Sequence, residues 1–224
     1  MAFYQAPSFE ALEQLSRSRD ADLARRELLD VDRIRGRGAQ SNRSGRFEKQ
    51  TRESFDDGWD NVEPLSIFET VEHNERAKTI ITSNDSPDIG FERSINAYRG
   101  CEHGCSYCYA RPTHAFLGHS AGIEFERDIY IKTNAVEALR AELSAKNYRV
   151  KPIAMGTNTD PYQPAERKHK LTRGILEVML ETRHPVMITT KSSLIIRDLD
   201  LLTELAKLGL VKVAISMTSM DHKL

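Results

Sequence analysis

The sequence predicts an α/β domain that is built around a parallel β-sheet and preceded by a flexible arm. Short apolar segments alternate with amphipathic helical patterns from about residue 75 onward, as they do in βαβ proteins. The stretch before them is basic, contains several Gly and Ser residues, and shows no apolar periodicity. All three cysteines of the 224-residue chain lie between positions 101 and 108, directly after a predicted strand.

The first 64 residues are predicted to form the flexible arm. Residues 17–52 contain eleven Arg or Lys and six Asp or Glu, and residues 35–46 contain no apolar side chain larger than alanine. Such a stretch cannot bury enough apolar surface to offset the entropy that is lost on ordering. Two interpretations stay open, a solvated linker and an arm that contacts RNA or DNA. The folded domain is predicted over residues 65–224.

The overall composition excludes several classes of protein. With 32 Lys and Arg against 33 Asp and Glu, the net charge of −1 is not that of a generally basic nucleic-acid-binding protein, although it is compatible with a local basic patch. No apolar run approaches the length of a membrane span. The N terminus lacks the features of a secretory signal. Three cysteines are too few for a disulfide scaffold, so we expect a cytoplasmic location.

Strands and helices are predicted to alternate along the domain. The predicted strands are 79–82, 93–98, 151–156, 185–190 and 211–216. Helices are predicted at 109–117, from Asn134, over 171–179 and from Asp198 to Gly209. We expect Asn134 and Asp198 to cap their helices and Gly209 to end the last one. The four strands from residue 93 onward are therefore predicted to be parallel, with right-handed crossovers.

The chain ends just after the last predicted strand. A parallel sheet that stops at a strand, with no covering helix, leaves one edge unprotected. We therefore expect either a partner that covers this edge or, as the favoured interpretation, a chain that is the front part of a longer protein.

The three cysteines have the spacing Cys-x3-Cys-x2-Cys, formed by Cys101, Cys105 and Cys108. Gly100 and Gly104 allow a tight loop that wraps three thiolates around one centre. Thiolates select iron–sulfur clusters or zinc over hard cations. An ordinary [4Fe–4S] cluster takes four cysteines, so a cluster with three would keep one iron open to another ligand. An open iron is what a cluster needs in order to bind and act on a small molecule.

A zinc site is the main alternative for these cysteines. It would be a Cys3His site with His103 or His114 as the fourth ligand. The protein would then be a zinc-stabilised nucleic-acid-binding module without catalysis, and the basic arm would supply affinity. Chance clustering of structural cysteines is disfavoured, because small hydrophobic residues have no packing reason to share eight positions. Electron transfer without catalysis is also disfavoured, since a fourth cysteine would then protect the cluster.

The cysteine spacing, with the aromatic Tyr107 before the last cysteine, resembles the cluster motif of radical S-adenosylmethionine (SAM) enzymes. The stretches 86–90, 101–114 and 156–166 resemble the spore photoproduct lyase-like, or DNA repair photolyase-type, branch. The resemblance covers about residues 65–224. It implies a partial (β/α) barrel of the radical SAM type, which we expect to be truncated at its C terminus, with the cluster at the C-terminal strand ends.

The resemblance also implies the cofactors and the reaction. Cys101, Cys105 and Cys108 would hold a [4Fe–4S] cluster that reduces SAM, and the resulting 5′-deoxyadenosyl radical would abstract hydrogen from a substrate. A flavodoxin- or ferredoxin-like electron donor is the implied partner, and no membrane is implied. The lyase-like reaction and its substrate stay open, with a nucleic acid as one candidate.

Polar residues at predicted strand ends are assigned to SAM by the same resemblance. They are Tyr107, Thr157, Asn158, Asp160, Lys191 and Ser216. Tyr107 is expected at the adenine. Lys191 and Ser216 are expected at the carboxylate, and Asp160 at the ribose. Thr157 and Asn158 would meet the amino group. The alternative is that these residues simply begin loops, as polar residues do after most strands.

The sequence departs from the lyase branch in its supply of thiols. Spore photoproduct lyases use an additional cysteine as a hydrogen-atom donor, whereas all three cysteines here are assigned to iron. Splitting of thymine dimers would therefore need another donor, such as Tyr162 or a thiol from outside this chain.

Overall fold

The structure is a computed structural model that describes residues 36–39 and 69–219. The predicted arm, 1–64, lies outside the described residues apart from 36–39, and so does the prediction that it is flexible. The four described arm residues pack against the cysteine loop, which we define as residues 101–108.

The described residues form eight strands and five α-helices. The strands are β1 (Val71–Glu75), β2 (Ile81–Ser83), β3 (Arg93–Ile95), β4 (Tyr98–Arg99), β5 (Asp128–Lys132), β6 (Ile153–Met155), β7 (Val186–Thr190) and β8 (Val211–Ile215). The helices are α1 (Ile123–Arg127), α2 (Ala135–Leu143), α3 (Glu166–His169), α4 (Leu171–Glu181) and α5 (Leu199–Lys207). Two 3-10 helices occupy Arg111–Leu117 and Ser193–Asp198. None of the helices in this part of the chain is both long and apolar enough to cross a membrane.

A five-stranded sheet carries the site. Its order is β2-β3-β6-β7-β8, and β3, β6, β7 and β8 are mutually parallel. The prediction of four parallel strands from residue 93 onward is therefore confirmed. Strand β2 adds to the sheet in the antiparallel direction. Among the described residues the strands form two open sheets, so the partial barrel and its truncation stay predictions.

A second, three-stranded sheet was not predicted from the sequence. Its order is β1-β5-β4, with β1 and β5 parallel and β4 antiparallel to β5. In β5, Ile129 and Ile131 are completely buried in the common core. The predicted strand 93–98 is in fact two strands, because its first half pairs with β2 and β6 whereas its second half pairs with β5.

Two of the predicted helix caps are wrong, although the helices themselves are present. The Asn134 side chain bonds both the N–H and the carbonyl of Ala77 instead of capping α2. The Asp198 side chain is buried and pairs with Arg173 at 3.0 Å and with Arg197 at 2.7 Å. The helix predicted after the cysteines is a 3-10 helix. In each case a tertiary contact that lies outside the local sequence decides the geometry.

A buried carboxylate joins the strand before the cysteine loop to two helices. Glu166 is fully buried and accepts hydrogen bonds from the Tyr98 hydroxyl at 2.5 Å, the Thr172 N–H at 3.1 Å and Arg197 at 2.8 Å. Burial, together with the adjacent Glu166 charge, raises the pKa of Tyr98 far above its ordinary value, so the phenol remains a donor. The position of β4 is thereby fixed relative to α3 and α4.

Replacing this carboxylate tests its contribution to stability. We expect Glu166→Ala to lower the free energy of unfolding by about 2–4 kcal/mol, because the Tyr98 hydroxyl and the Thr172 N–H lose their buried acceptor, whereas Arg197 keeps Asp198 as a partner. Glu177→Ala is the matched control on α4, where the side chain is half exposed and pairs with Arg173 at 3.4 Å. It should change the unfolding free energy by less than about 1 kcal/mol. Urea unfolding of both variants makes the comparison, and equal losses would contradict the assignment.

Candidate functional site

The cysteine loop and the C-terminal ends of β6, β7 and β8 surround a pocket of about 220 Å³. All nine residues predicted for the cluster and for SAM line this pocket: Cys101, Cys105, Tyr107, Cys108, Thr157, Asn158, Asp160, Lys191 and Ser216. Parallel strands bring their carboxyl ends to one edge of the sheet, so residues far apart in sequence meet there. Residues that the sequence analysis did not single out also line the pocket: Tyr109, Ala110, Gly156, Thr159, Thr189 and Thr190.

A glycine at the end of β6 lets the next loop turn into the pocket wall. Gly156 has φ +89°, and a Cβ atom there would overlap the carbonyl oxygen of Thr189 on β7. The close approach of two backbones therefore requires glycine, in addition to the positive φ. Thr157 and Asn158, which follow this glycine, line the pocket.

An asparagine that the sequence analysis missed holds this turn. The Nδ2 of Asn96 donates to Thr157 Oγ1 at 2.9 Å, and its Oδ1 accepts from the Asn158 N–H at 3.0 Å. Its own carbonyl accepts from Lys132 Nζ at 2.8 Å. Asn96 follows β3 directly and so lies at the same sheet edge as the predicted residues. Its place after a strand is the signal that would have found it.

The cysteine loop is held through its main chain. Arg111 donates from Nε and Nη2 to the carbonyl of Cys105 at 3.0 and 2.8 Å, and it pairs with the buried Glu126. The buried Gln163 donates to the carbonyl of Gly100 at 3.3 Å and accepts from the N–H of Glu102 at 3.0 Å. These contacts fix the loop while leaving the thiols free of disulfides.

The thiols differ in their surroundings. Burial raises the pKa of Cys101 to about 12. Hydrogen bonds from the backbone N–H groups of Asp160 and His103 act to lower this pKa, but the effect of burial is larger. Cys105 lies 2.6 Å from Nζ of Lys191. Burial acts to lower the pKa of Lys191, but its hydrogen bonds with Cys105 and with Tyr107 outweigh that effect and raise it. Lys191 therefore places a fixed positive charge beside the cysteine loop.

The carboxylate of Asp160 is already used within the protein. Its Oδ1 accepts from Thr190 Oγ1 at 2.6 Å and from the Tyr162 N–H at 2.9 Å, and its Oδ2 accepts from the Lys191 N–H at 2.9 Å. Asp160 thus ties the loop after β6 to the end of β7. Its expected contact with the SAM ribose stays a prediction.

Three residues that the sequence analysis considered lie outside the pocket lining. His103 stands with Nε2 3.6 Å from Asp160 Oδ2, and burial lowers its pKa. His114 is buried against Gly100 and Phe125, and burial lowers its pKa to about 4. Tyr162 is fully buried. Its position among the described residues does not suit a hydrogen-atom donor to a molecule in the pocket.

A cluster and a single metal ion place different demands on their ligands. Within residues 36–39 and 69–219, no three His, Cys, Asp or Glu side chains converge on a position that could hold one metal ion. A structural zinc ion needs four ligands at about 2.0–2.3 Å around one point. A [4Fe–4S] cluster would instead take its protein thiolates on different irons, and here all three thiols lie in the wall of one pocket.

Comparison with known proteins identifies the domain. Residues 95–224, more than half of the chain, match the Radical SAM superfamily. The chain belongs to this superfamily. Radical SAM proteins typically use a [4Fe–4S] cluster and SAM for radical chemistry, and they generally need a reductant. The match includes the cysteine loop and the strands β6, β7 and β8 of the five-stranded sheet.

The radical SAM domain also has curated relatives. It is 42% identical to an uncharacterized protein of Mycobacterium tuberculosis strain H37Rv over 136 residues, 61% of this chain and 40% of that protein. An uncharacterized protein of Methanocaldococcus jannaschii is 31% identical over 150 residues, 66% of this chain and 52% of that protein. One from Acidianus two-tailed virus is 28% identical over 144 residues, 61% of this chain and 47% of that protein. The chain thus spans about half the length of these relatives or less. No solved structure matches significantly.

The contribution of the close backbone approach at Gly156 to stability can be measured separately from that of its positive φ. Gly209 also has a positive φ, +69°, but no atom lies within 4 Å of its Cβ position. We expect Gly209→Ala to lower the free energy of unfolding by about 1–2 kcal/mol through backbone strain alone. Gly156→Ala should lower it by about 2–5 kcal/mol, because the overlap with Thr189 adds to the strain. Urea unfolding measures both, and equal losses would show that the approach to β7 is not tight.

Proposed function

We propose that this protein is a radical SAM enzyme in which Cys101, Cys105 and Cys108 bind a [4Fe–4S] cluster used to cleave SAM reductively. The observation that carries the proposal is the single pocket that all three thiols share with the six side chains assigned to SAM. When bound, the cluster and SAM would supply a 5′-deoxyadenosyl radical for hydrogen abstraction. The chain's own residues would bind SAM, orient it and shield it from water.

The positive charge of Lys191 in the pocket supports binding of the amino-acid part of SAM there. Lys191 keeps its positive charge and would pair with the carboxylate, towards which Ser216 would donate a hydrogen bond. Thr157 and Asn158, fixed by Asn96, would meet the amino group. The roles of Asp160 at the ribose and of Tyr107 at the adenine complete the proposal.

We further propose a nucleic acid as the substrate. Tyr109 lines the pocket with 76% of its surface exposed, so its ring is available for stacking. Exposed aromatic rings are what unpaired bases stack on in proteins that bind single strands. A lyase-like reaction, a flavodoxin- or ferredoxin-like donor and a cytoplasmic location belong to the same proposal.

The zinc alternative is less well supported by the geometry. It needs His103 or His114 as a fourth ligand, and neither lines the pocket with the three thiols. His114 instead packs in the protein interior behind Gly100.

Metal analysis with one matched control tests the reaction class. We expect the anaerobically reconstituted protein to hold about four irons and four sulfides per chain, because three thiolates retain one cluster. With dithionite and SAM it should form 5′-deoxyadenosine. Cys105→Ser should lose both the iron and this product. Ser106→Ala, an exposed position in the same loop outside the pocket lining, should keep both.

Two results would contradict the proposed reaction. One zinc ion without iron would favour the zinc-binding module. Full iron loading without 5′-deoxyadenosine from the chain as given would remove the proposed SAM cleavage from this chain.

Binding of a labelled single-stranded DNA oligonucleotide tests the proposed substrate class. We expect Tyr109→Ala to raise the dissociation constant about tenfold, because loss of one base–aromatic stack costs about 1–3 kcal/mol. Val150→Ala is the control, since Val150 is an exposed apolar side chain at the opposite, N-terminal end of β6. Fluorescence anisotropy measures both at one fixed salt concentration. Equal affinities of the two variants would argue against a stacking site at the pocket.

A further inference from the structure

We propose that residues 36–39, here called the strap, clamp the cysteine loop from outside the pocket and are needed for it to retain a cluster. The inference rests on the proposed function for its ligand, and on the contacts of the strap for its mechanism. The strap lies in the stretch that the sequence analysis interpreted as a linker or a nucleic-acid-binding arm. None of its four residues lines the pocket.

The backbones of the strap and of the cysteine loop are in direct contact. A Cβ atom on Gly38 would overlap the carbonyl oxygen of Gly104, which lies between the first two cysteines. A Cβ atom on Gly104 would in turn overlap Cβ of Arg37, and Gly104 has φ +61°. Each segment therefore needs a glycine where it meets the other. Such a mutual fit restricts how far the loop can move outward at Gly104.

A chain of hydrogen bonds leads from the strap to the middle cysteine. The N–H of Gly38 donates to both carboxylate oxygens of Glu126, at 3.0 and 3.2 Å. Glu126 is fully buried and pairs with Arg111, whose guanidinium holds the carbonyl of Cys105. A buried carboxylate oxygen that loses a hydrogen-bond donor lowers the stability of the folded protein, because water cannot replace the donor. Displacing Gly38 would therefore disturb the group that positions Cys105.

The strap also contains an arginine, Arg37. Its Nη1 donates to the carbonyl of Glu126 at 2.5 Å, and its Nη2 donates to Thr70 Oγ1 at 2.6 Å. Nη2 also lies 3.6 Å from Oε1 of Glu102, the residue that follows Cys101. Arg37 thus bridges α1 and the start of the cysteine loop. Its guanidinium is used for these internal contacts, which suits a positioning residue better than a contact to phosphate.

The test compares the full chain with Gly38→Ala and with the matched control Gly90→Ala. Neither glycine has a positive φ, and no atom lies within 4 Å of the Cβ position at Gly90. The two variants therefore differ in the close approach to Gly104. Arg37→Gln is the second variant, because it removes the guanidinium contacts without introducing an overlap.

Three measurements are made on the wild type and on each variant. Hydrogen–deuterium exchange of the metal-free protein measures the flexibility of the cysteine loop. The rate of iron release to a ferrous chelator measures how well the reconstituted protein retains its cluster. The electron paramagnetic resonance spectrum of the reduced protein reports the surroundings of the iron. We expect faster exchange confined to the loop, about tenfold faster iron release and an altered spectrum in Gly38→Ala, with the same direction in Arg37→Gln. Gly90→Ala should match the wild type.

The outcomes separate the strap from the proposed function. Equal loop exchange and equal iron release in the wild type, Gly38→Ala and Arg37→Gln would overturn the strap and leave the proposed function intact. A wild-type chain that takes up no cluster would overturn the proposed function. Exchange in the metal-free protein would then still decide whether the strap fixes the loop.

Discussion

The site depends on one constraint, which is the anchoring of the cysteine loop to the elements around it. The loop contains no strand or helix and only two turn hydrogen bonds of its own, and its main chain also bonds polar side chains of other elements. Gln163 bonds the residues at its start, and Arg111 bonds the carbonyl of Cys105. Since Gln163 is buried and Arg111 pairs with the buried Glu126, these contacts tie the loop to the core of the protein. The thiols are left facing the pocket.

The carboxyl edge of the five-stranded sheet forms the other half of the pocket. Strands β7 and β8 end at the same level and β6 ends two residues earlier, and the residue after each strand is either glycine or polar. Asp160 and Asn96 then join neighbouring strand ends through their side chains, so the wall behaves as one unit. A charged ammonium group, that of Lys191, stands where the two halves of the pocket meet.

Parts of the pocket wall and of the fold could be predicted from the sequence. The cysteine spacing and the family resemblance selected nine residues, and all nine line one pocket. The sheet formed by β1, β5 and β4 was missed, because β4 continues from β3 without a break in the sequence pattern. The sequence analysis missed the roles of Glu166, Asn96 and the strap. Their hydrogen-bond partners are far away in the chain, so no local sequence pattern indicates these contacts.

The buried imidazole behind the loop gives the molecule a built-in spectroscopic reporter. Cε1 of His114 lies against Gly100, directly before the first cysteine, and the ring of Phe125 stands edge-on at 5.5 Å. Aromatic ring currents shift the resonances of nearby protons, and the chain has only seven histidines whose Cε1 protons must be told apart. A small displacement of the loop would change the surroundings of this proton. A proton nuclear magnetic resonance spectrum of the unlabelled protein can therefore follow the shape of the loop.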